Sequence, residues 1–422
     1  MSKTRLNFML ILAVTLLTLT GCPPRRLPTG EPPSVSSQLV VLYDDDISDE
    51  SKKRFKGFVS TRYDFRSIPC ECNLDLEIWI GSNIENLLFD TSTVRGEPRP
   101  ISRSGVTGDG DSVYFSRNIT IGVPDKDSNI LIKMPPIVSR KENQVKVAVL
   151  DTGLDTAFFE QKSYDDFLMD PKEIPFACFT EKRPGRYAGW NFLTNDNNFQ
   201  DNYPAKHGTN ITGLILAEST RNWIRILPLK THNSNGIGVL FDLLCAMKFA
   251  EKAKVDYINA SWGDYGTENI VFSKVLRSLE NNNIVFITAA GNEGDDIGVP
   301  ALNFYPACYS GTAPTSFTNV ITTTTTDKQN NCNNNNFSKV HVDVGASGKH
   351  TDCMFRIPFQ QNAGVLSPLK GSSFATAVMT GIISDRHPFS GAGSLKNNIL
   401  NSLTPVHNAV GNIRTAKGFK QH

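Results

Sequence analysis

Ser373 stands at the start of an amphipathic pattern, where a hydroxyl group can be presented for attack on a carbonyl group. Gly371 permits a tight turn before it, and Phe374, Val378 and Ile382 recur at helical spacing, which predicts a helix with a buried stripe. The free N–H groups of a helix N-terminus favour negative charge, which an acyl-transfer oxyanion needs beside its nucleophile. Taken alone, a Gly-Ser-Ser turn before a helix is more often only a helix cap.

Two upstream residues supply what a serine nucleophile lacks. A serine hydroxyl is a poor nucleophile unless a base accepts its proton, and His207 at the start of a second helical pattern is a candidate base. Asp151, which ends the apolar run 145–150, would hold the His207 ring in the tautomer that accepts the proton. The alternative interpretations are that His207 is an ordinary surface or core histidine and that Asp151 caps a turn. A lipase or esterase would require Gly-x-Ser-x-Gly and the order Ser, Asp, His, and Ser373 has neither.

A fourth motif, Ile-Thr-Ala-Ala-Gly-Asn, places Asn292 at the end of another apolar strand. The Asp-Thr-Gly motif at Asp151, the His-Gly-Thr motif at His207, the Asn292 motif and the Gly-Ser-Ser motif at Ser373 together resemble the subtilase family of subtilisin-like serine peptidases. The resemblance covers roughly residues 143–415, about two thirds of the chain.

The resemblance implies peptide-bond hydrolysis through an acyl-enzyme, with the Asn292 amide and the Ser373 backbone N–H donating to the oxyanion. It also implies that two strands pair with an extended protein or peptide substrate, and the matching positions are Ser261, Trp262, Gly263, Gly236, Gly238, Ala290 and Gly291. The competing interpretation is a catalytically inactive subtilase-fold protein that binds a partner at the cell envelope. The chain keeps all four groups that one mechanism requires, those of Asp151, His207, Asn292 and Ser373, which argues against an inactive protein.

Some positions depart from the family's pattern. Asn210 stands where relatives often have a histidine, and Ala377 replaces the proline that often closes the serine motif. The short segment 217–223 leaves no room for the loop that carries a tight calcium site in many relatives. We therefore expect no required cofactor and no metal at the site. Weak structural Ca²⁺ binding at the oxygen-rich loops near Asp165 and 195–198 is the alternative to simple solvation.

The strand and helix patterns after residue 143 predict an α/β fold. Apolar strands at 145–150, 224–229, 255–260 and 284–289 alternate with helices near 237–253 and 267–281, as in a mostly parallel sheet covered on both faces. The polar motifs lie at the carboxyl ends of these strands, the edge where such sheets place their sites. We therefore expect a subtilisin-like three-layer domain over 143–415.

Residues 38–122 are predicted to form a separate small α+β unit. A strand at Leu39–Tyr43, a helix through about Phe58, a strand at Leu74–Ile80 and a helix opening at Ser82 suggest a βαββαβ, ferredoxin-like order. Such a unit before a subtilase domain resembles the family's inhibitory prodomain, whose trailing segment would enter the substrate cleft. The alternative is a permanent accessory domain. A linker at 123–142 would join it to the catalytic domain.

The first 22 residues are predicted to be an export signal rather than part of the fold. Lys3 and Arg5 precede an apolar run too short to span a membrane, and Leu-Thr-Gly-Cys follows, ending at Cys22. This ending resembles a lipoprotein signal, with lipid on the Cys22 thiol. An ordinary secretory signal is the alternative. Proline-rich residues 23–37 would be a tether. We expect an exported protein, lipid-anchored to the bacterial cell envelope.

Composition and cysteine content fit an exported globular protein. A formal net charge of +1 leaves no basic footprint for nucleic acid, and we expect a monomer. Removing Cys22 from the eight cysteines leaves seven, so at least one thiol stays free. Cys245, within an apolar helix, is the expected buried thiol, and Cys332 and Cys353 could pair; the spacing leaves the connectivity open.

Overall fold

The computed structural model describes residues 34–89, 102–107, 110–123, 144–159, 164–174, 186–218, 220, 223–311, 316–326, 335–347, 354–355, 369–389, 394–408 and 411–415. The predicted signal, Cys22, the tether up to residue 33 and the linker after Val123 lie outside these residues. Across the described part of the chain, no helix has the length and apolar character needed to cross a membrane.

The N-terminal unit is one antiparallel sheet with a helix on one face. Its elements are β1 (Ser34–Tyr43), α1 (Asp49–Ser60), β2 (Arg66–Cys70), β3 (Asn73–Ile80), a 3-10 helix (Ile84–Phe89), β4 (Ser102–Val106) and β5 (Ser112–Gly122). The sheet order is β2-β3-β1-β5-β4. Because successive side chains of β1 alternate between faces, Leu39 and Val41 pack with Phe55 of α1 and with Trp79. Val40 and Leu42 face the other way.

The sheet order β2-β3-β1-β5 fits the predicted ferredoxin-like arrangement, with β4 added at the edge. Two details differ from the sequence interpretation. The predicted second helix is a six-residue 3-10 helix, Ile84–Phe89. The first strand begins at Ser34, inside the range assigned to the tether, because Ser34 pairs with Ile119 of β5.

The rest of the described chain forms the larger domain. Its strands are β6 (Gln144–Asp151), β7 (Trp190–Asn191), β8 (Trp223–Lys230), β9 (Ile237–Val239), β10 (Tyr257–Ala260), β11 (Asp264–Tyr265), β12 (Val285–Ala289), β13 (Phe304–Tyr305), β14 (Val320–Thr326), β15 (Val344–Ser347), β16 (Met354–Phe355), β17 (Leu369–Lys370), β18 (Thr404–Asn408) and β19 (Gly411–Thr415). Its α-helices are α2 (Tyr164–Phe167), α3 (His207–Ala217), α4 (Leu240–Lys252), α5 (Ile270–Asn281), α6 (Ser372–Asp385) and α7 (Leu395–Asn401).

The central sheet confirms the predicted α/β class and three layers. Its order is β18-β19-β15-β14-β12-β10-β6-β8-β7, and every neighbouring pair except β18 and β19 is parallel. Along β6, Val147 and Val149 pack in the cluster that holds the apolar faces of α3 and α6. Ala148 and Leu150 pack in the cluster that holds α4 and α5. The predicted stripe of α6 lies in the first cluster.

The N-terminal unit packs on α4 and α5 of the larger domain. Leu76, Tyr114 and Ile121 belong to the same apolar cluster as Leu243 and Phe272. The unit also satisfies N–H groups at both helix N-termini. Asn118 Oδ1 accepts a hydrogen bond from the Phe241 N–H at 2.9 Å, and Ser102 Oγ accepts one from the Ile270 N–H at 2.9 Å.

Candidate active site

Asp151 and His207 form a buried hydrogen-bonded pair at the carboxyl end of the sheet. Asp151 ends β6, His207 begins α3, and neither side chain is exposed. The His207 Nδ1 atom lies 2.8 Å from Asp151 Oδ1, which also accepts the Thr152 N–H at 2.7 Å. Burial acts to raise the pKa of Asp151, but the charge and hydrogen bond of His207 outweigh it, and the pKa is lowered. Because an ionised carboxylate only accepts, Nδ1 is the donor, and Nε2 is left as the proton acceptor.

The start of α3 is fixed by contacts from two other segments. Gly208 donates its N–H to Thr152 Oγ1 at 2.9 Å, and a Cβ atom on Gly208 would lie 2.3 Å from the Gly153 carbonyl oxygen. A glycine is therefore needed directly after His207. The His207 ring packs against the Phe374 ring with centroids 5.5 Å apart, which brings the start of α6 to the same place.

Ser373 is the second residue of α6 and is fully buried in this structure. Gly371 precedes the helix with φ of 127°, a conformation that favours glycine. The Ser373 hydroxyl donates to the Ser261 carbonyl oxygen at 3.0 Å, and the Ser261 hydroxyl donates to the Ser373 carbonyl oxygen at 3.0 Å. This reciprocal pair holds the start of α6 against the residue that follows β10.

Asn292 is oriented by Ser372. Its side-chain Oδ1 accepts the Ser372 N–H at 2.7 Å and the Ser372 hydroxyl at 3.0 Å. The Ser372 hydroxyl in turn accepts the Gly291 N–H at 3.0 Å. Because a carboxamide is planar and its oxygen faces Ser372, its Nδ2 group is directed away from Ser372 and remains the donor end. The contacts of Ser372 and Gly291 thus fix the direction in which Asn292 Nδ2 can donate.

The predicted substrate strands hold an extended segment of the N-terminal unit. Strand β5 pairs antiparallel with β9, with Thr120 opposite Val239, Ile121 opposite Gly238 and Gly122 opposite Ile237. On its other side, Gly122 forms an antiparallel bridge with Gly263. The Val123 N–H donates to the Gly236 carbonyl oxygen at 2.9 Å. The last residues of β5 therefore lie between the two edges that the sequence assigned to substrate.

The other predicted substrate positions differ in what they contact. The Trp262 side chain is fully buried, and its indole N–H donates to the Leu150 carbonyl oxygen at 2.8 Å. Ala290 donates its N–H to the Thr323 carbonyl oxygen at 2.9 Å. A Cβ atom on Gly291 would lie 2.2 Å from Asn336 Nδ2. Trp262 and Ala290 are thus held by the core behind the cleft.

Residues 142–409 match the model of the subtilase family. This match covers more than half of the chain. The chain belongs to the subtilase family.

Curated bacterial proteases are similar to this subtilase. An intracellular serine protease of Paenibacillus polymyxa is 26% identical over 262 residues, covering 60% of this chain and 70% of the relative. The major intracellular serine protease of Bacillus subtilis (strain 168) is 28% identical over 194 residues, covering 43% of this chain and 53% of the relative. A cell wall-associated protease of the same organism is 25% identical over 175 residues, covering 39% of this chain and only 17% of the relative. The family and these relatives make this subtilase a serine peptidase.

Sequence reasoning missed a group of buried polar residues around Asp151 and His207. Asp201 accepts both the N–H of Thr209, at 3.1 Å, and its hydroxyl, at 2.8 Å, which fixes the first turn of α3. Burial raises the pKa of Asp201 and lowers that of Lys230. Lys230 donates through Nζ to the Thr152 carbonyl oxygen and to Asn202 Oδ1. No local sequence pattern connects Asp201 or Lys230 to the site, because each makes its contacts only once the chain has folded.

His232 is a second buried histidine close to Asp151. Its backbone N–H donates to the Asp151 carbonyl oxygen at 3.2 Å, and its Nδ1 lies 3.0 Å from Thr231 Oγ1. Burial lowers the pKa of His232 to about 4, so its ring is neutral near pH 7. Near neutral pH, His232 therefore adds no charge beside Asp151 and His207.

The described residues contain no group of three or more His, Cys, Asp or Glu side chains that could hold a metal ion. Of the oxygen-rich positions considered for Ca²⁺, Asp165 lies 3.4 Å from the guanidinium of Arg186. Asp196 accepts the Asn198 N–H at 2.9 Å. Weak Ca²⁺ binding at these positions and the absence of a required cofactor both stay predictions.

Proposed function

We propose that Asp151, His207 and Ser373 are the catalytic triad of this serine peptidase and that Asn292 is an oxyanion donor. The observation that carries the proposal is the 2.8 Å hydrogen bond between the buried side chains of Asp151 and His207. It orients the ring, fixes its tautomer and stabilises the imidazolium that forms when a proton arrives. The substrates we propose are proteins or peptides bound in extended form.

The first chemical step is attack by the Ser373 oxygen on the peptide carbonyl carbon. The hydroxyl donates to the Ser261 carbonyl oxygen in this structure, so it must turn about its Cα–Cβ bond toward His207 Nε2. His207 takes the proton as the C–O bond forms, and the carbonyl oxygen becomes an oxyanion stabilised by Asn292 Nδ2 and the Ser373 N–H. His207 then protonates the leaving amine as the C–N bond breaks. Water hydrolyses the resulting ester by the same steps in reverse.

An organophosphonate probe tests this function. The probe should bond covalently to the Ser373 oxygen, because only a hydroxyl paired with a base attacks phosphorus readily. Trypsin would release residues 371–386 as one peptide, and fragmentation would distinguish Ser373 from Ser372 and Ser384. The assay should be run before and after a cut in 124–143, because β5 lies in the cleft. An unlabelled, folded protein in both states would favour the inactive binding protein instead.

We further propose that the N-terminal unit blocks the cleft of the uncut chain. Strand β5 occupies both edges that we predict to pair with substrate, and the unit packs on α4 and α5. An endopeptidase that folds after export is exposed to its own siblings, and a parallel sheet of long-range contacts folds slowly. A unit that covers the cleft and supports the two helices would reduce that exposure.

The expected result is that the wild-type chain is cut within 124–143, whereas Ser373→Ala accumulates uncut. Intact-mass measurement and N-terminal sequencing of both proteins would check this. Added residues 34–123 should also inhibit the cut enzyme. A wild-type chain that stays full length and fully active would instead support a permanent accessory domain.

We also propose that lipid on Cys22 anchors the protein to the cell envelope. The basis is the Leu-Thr-Gly-Cys ending of the apolar segment and the proline-rich residues behind it. In a bacterial host, Cys22→Ser should abolish incorporation of radiolabelled palmitate, and Cys308→Ser should leave it unchanged. Persistent labelling of Cys22→Ser would place the anchor at another residue.

A further inference from the structure

Two buried thiols from different parts of the fold meet where the N-terminal unit packs on the larger domain. Cys70 is the last residue of β2, and Cys245 lies in the middle of α4. Their exposed fractions are 3% and 5%, and both belong to the same apolar cluster. Both line one cavity at this interface, and the Cys70 thiol is close enough to contribute to raising the pKa of Cys245. Both are reduced in this structure.

The pair of thiols lies beside a cysteine that is already oxidised. The two residues line one cavity with Glu71, Cys72 and Asp242. Among the residues that the structure describes, no group of three or more His, Cys, Asp or Glu side chains could hold a metal ion. Cys72, on the turn that follows Cys70, is itself disulfide-bonded. An oxidised cysteine therefore already lies two residues from Cys70.

We propose that Cys70 and Cys245 form a disulfide bond that joins the N-terminal unit covalently to the catalytic domain. The oxidant is a small-molecule disulfide such as oxidised glutathione. One cysteine thiolate attacks it, forming a mixed disulfide and releasing one reduced glutathione. The second thiolate attacks the mixed disulfide, forming the Cys70–Cys245 bond and releasing the other. Two protein thiols are oxidised, and one glutathione disulfide is reduced.

The timing of this reaction follows from burial. Burial and the adjacent Cys70 raise the pKa of Cys245 well above its ordinary value, so little thiolate exists once the interface is packed. The bond should therefore form as the unit docks during folding, while both thiols are still accessible to the oxidant.

Among the described cysteines, the pairing leaves Cys308 as the free thiol. With Cys70 joined to Cys245 and Cys72 already bonded, Cys308 is the residue suited to remain free. It is buried, its Sγ accepts the Phe304 N–H at 3.3 Å, and burial raises its pKa to about 12. The bond does not depend on the proposed peptidase activity. The effect of the bond rests on the proposed function, because a bonded unit stays attached after a cut in 124–143 until a reductant acts.

Peptide mapping of the full, unmutated chain tests the bond directly. The reduced, denatured protein is refolded in oxidised glutathione, alkylated in denaturant without reductant, and digested with trypsin and a glutamate-specific protease. Cleavage after Glu71 separates Cys70 from Cys72. The expected product is a Cys70 peptide linked to a Cys245 peptide, lighter than the two free peptides by two hydrogen atoms. Alkylated Cys70 and Cys245, or Cys70 linked to another cysteine, would overturn the proposal.

A second measurement, on a denaturing gel, tests whether the N-terminal unit stays attached to the catalytic domain. It uses Cys72→Ser so that the disulfide bond of Cys72 cannot hold the two fragments together. In a Ser373→Ala, Cys72→Ser chain cut between residues 124 and 143 by an added protease, the two fragments should migrate together without reductant and separate with it. Adding Cys245→Ser should separate them in both conditions, whereas adding Cys308→Ser should not. Separation of the Cys72→Ser fragments without reductant would contradict the proposed link. Because these chains carry Ser373→Ala, failure of the proposed catalytic function would not affect the outcome.

Discussion

Replacing Ser373 with alanine should abolish hydrolysis of casein and of peptide amides. The expected loss of turnover is about 10⁶-fold, the scale found when the nucleophile of subtilisin, a member of the same family, is removed. The residual rate would come from substrate binding and oxyanion stabilisation alone. Turnover of a chromogenic peptide by purified wild-type and variant proteins, both cut in 124–143, would measure the loss.

The fold of this variant should survive. The change removes one hydrogen bond and leaves the buried Ser261 carbonyl oxygen without that donor, at a cost of about 1–3 kcal/mol in free energy of unfolding. Circular dichroism and thermal unfolding would establish this. Ser273→Ala, the same substitution on α5, should retain full activity. Undiminished hydrolysis by a homogeneous Ser373→Ala protein would exclude Ser373 as the nucleophile.

Replacing Asn292 with alanine should lower kcat about 10²- to 10³-fold and leave KM nearly unchanged. This is again the scale known for an oxyanion donor of subtilisin, and we adopt it as a family value. The donor acts on charge that appears only in the transition state, so it contributes little to substrate binding. Steady-state kinetics on one peptide substrate would separate the two constants.

Ser372→Ala is the matched control for Asn292→Ala. It removes the hydroxyl that donates to Asn292 Oδ1, but the Ser372 N–H still holds that oxygen at 2.7 Å. Its kcat should therefore fall less than that of Asn292→Ala. A normal kcat with a raised KM in Asn292→Ala would show that this side chain binds substrate rather than stabilising the oxyanion.

The sequence was informative wherever a local pattern sets the structure. Apolar strands that end in polar residues predicted the parallel sheet and the edge at which Asp151 and Asn292 lie. The start of α4 was predicted wrongly because a distant contact, rather than the local pattern, sets the structure there. Residues 237–239 continue the helical pattern, yet they form β9 because β5 supplies a pairing partner more than a hundred residues away in sequence. Tertiary pairing there overrides local preference.

The supporting residues of the site show the same limit. The contact between Ser372 and Asn292 joins segments 80 residues apart, and nothing in either motif predicts it. The 3-10 helix at Ile84–Phe89 was predicted as an α-helix because its apolar spacing fits both types over so few residues. Short patterns indicate that an element exists more reliably than they indicate its type.

The pairing of β5 with β9 has a consequence for how the protein behaves in solution. The backbone groups of Ile237–Val239 are satisfied by Thr120–Gly122 of the same chain. Without that partner, β9 presents an open sheet edge, and such edges pair with strands of other molecules. The half-exposed Ile237, at 43%, would add an apolar side chain to that edge. We therefore expect a form truncated before residue 124 to associate with copies of itself more readily than the chain that carries its own partner strand.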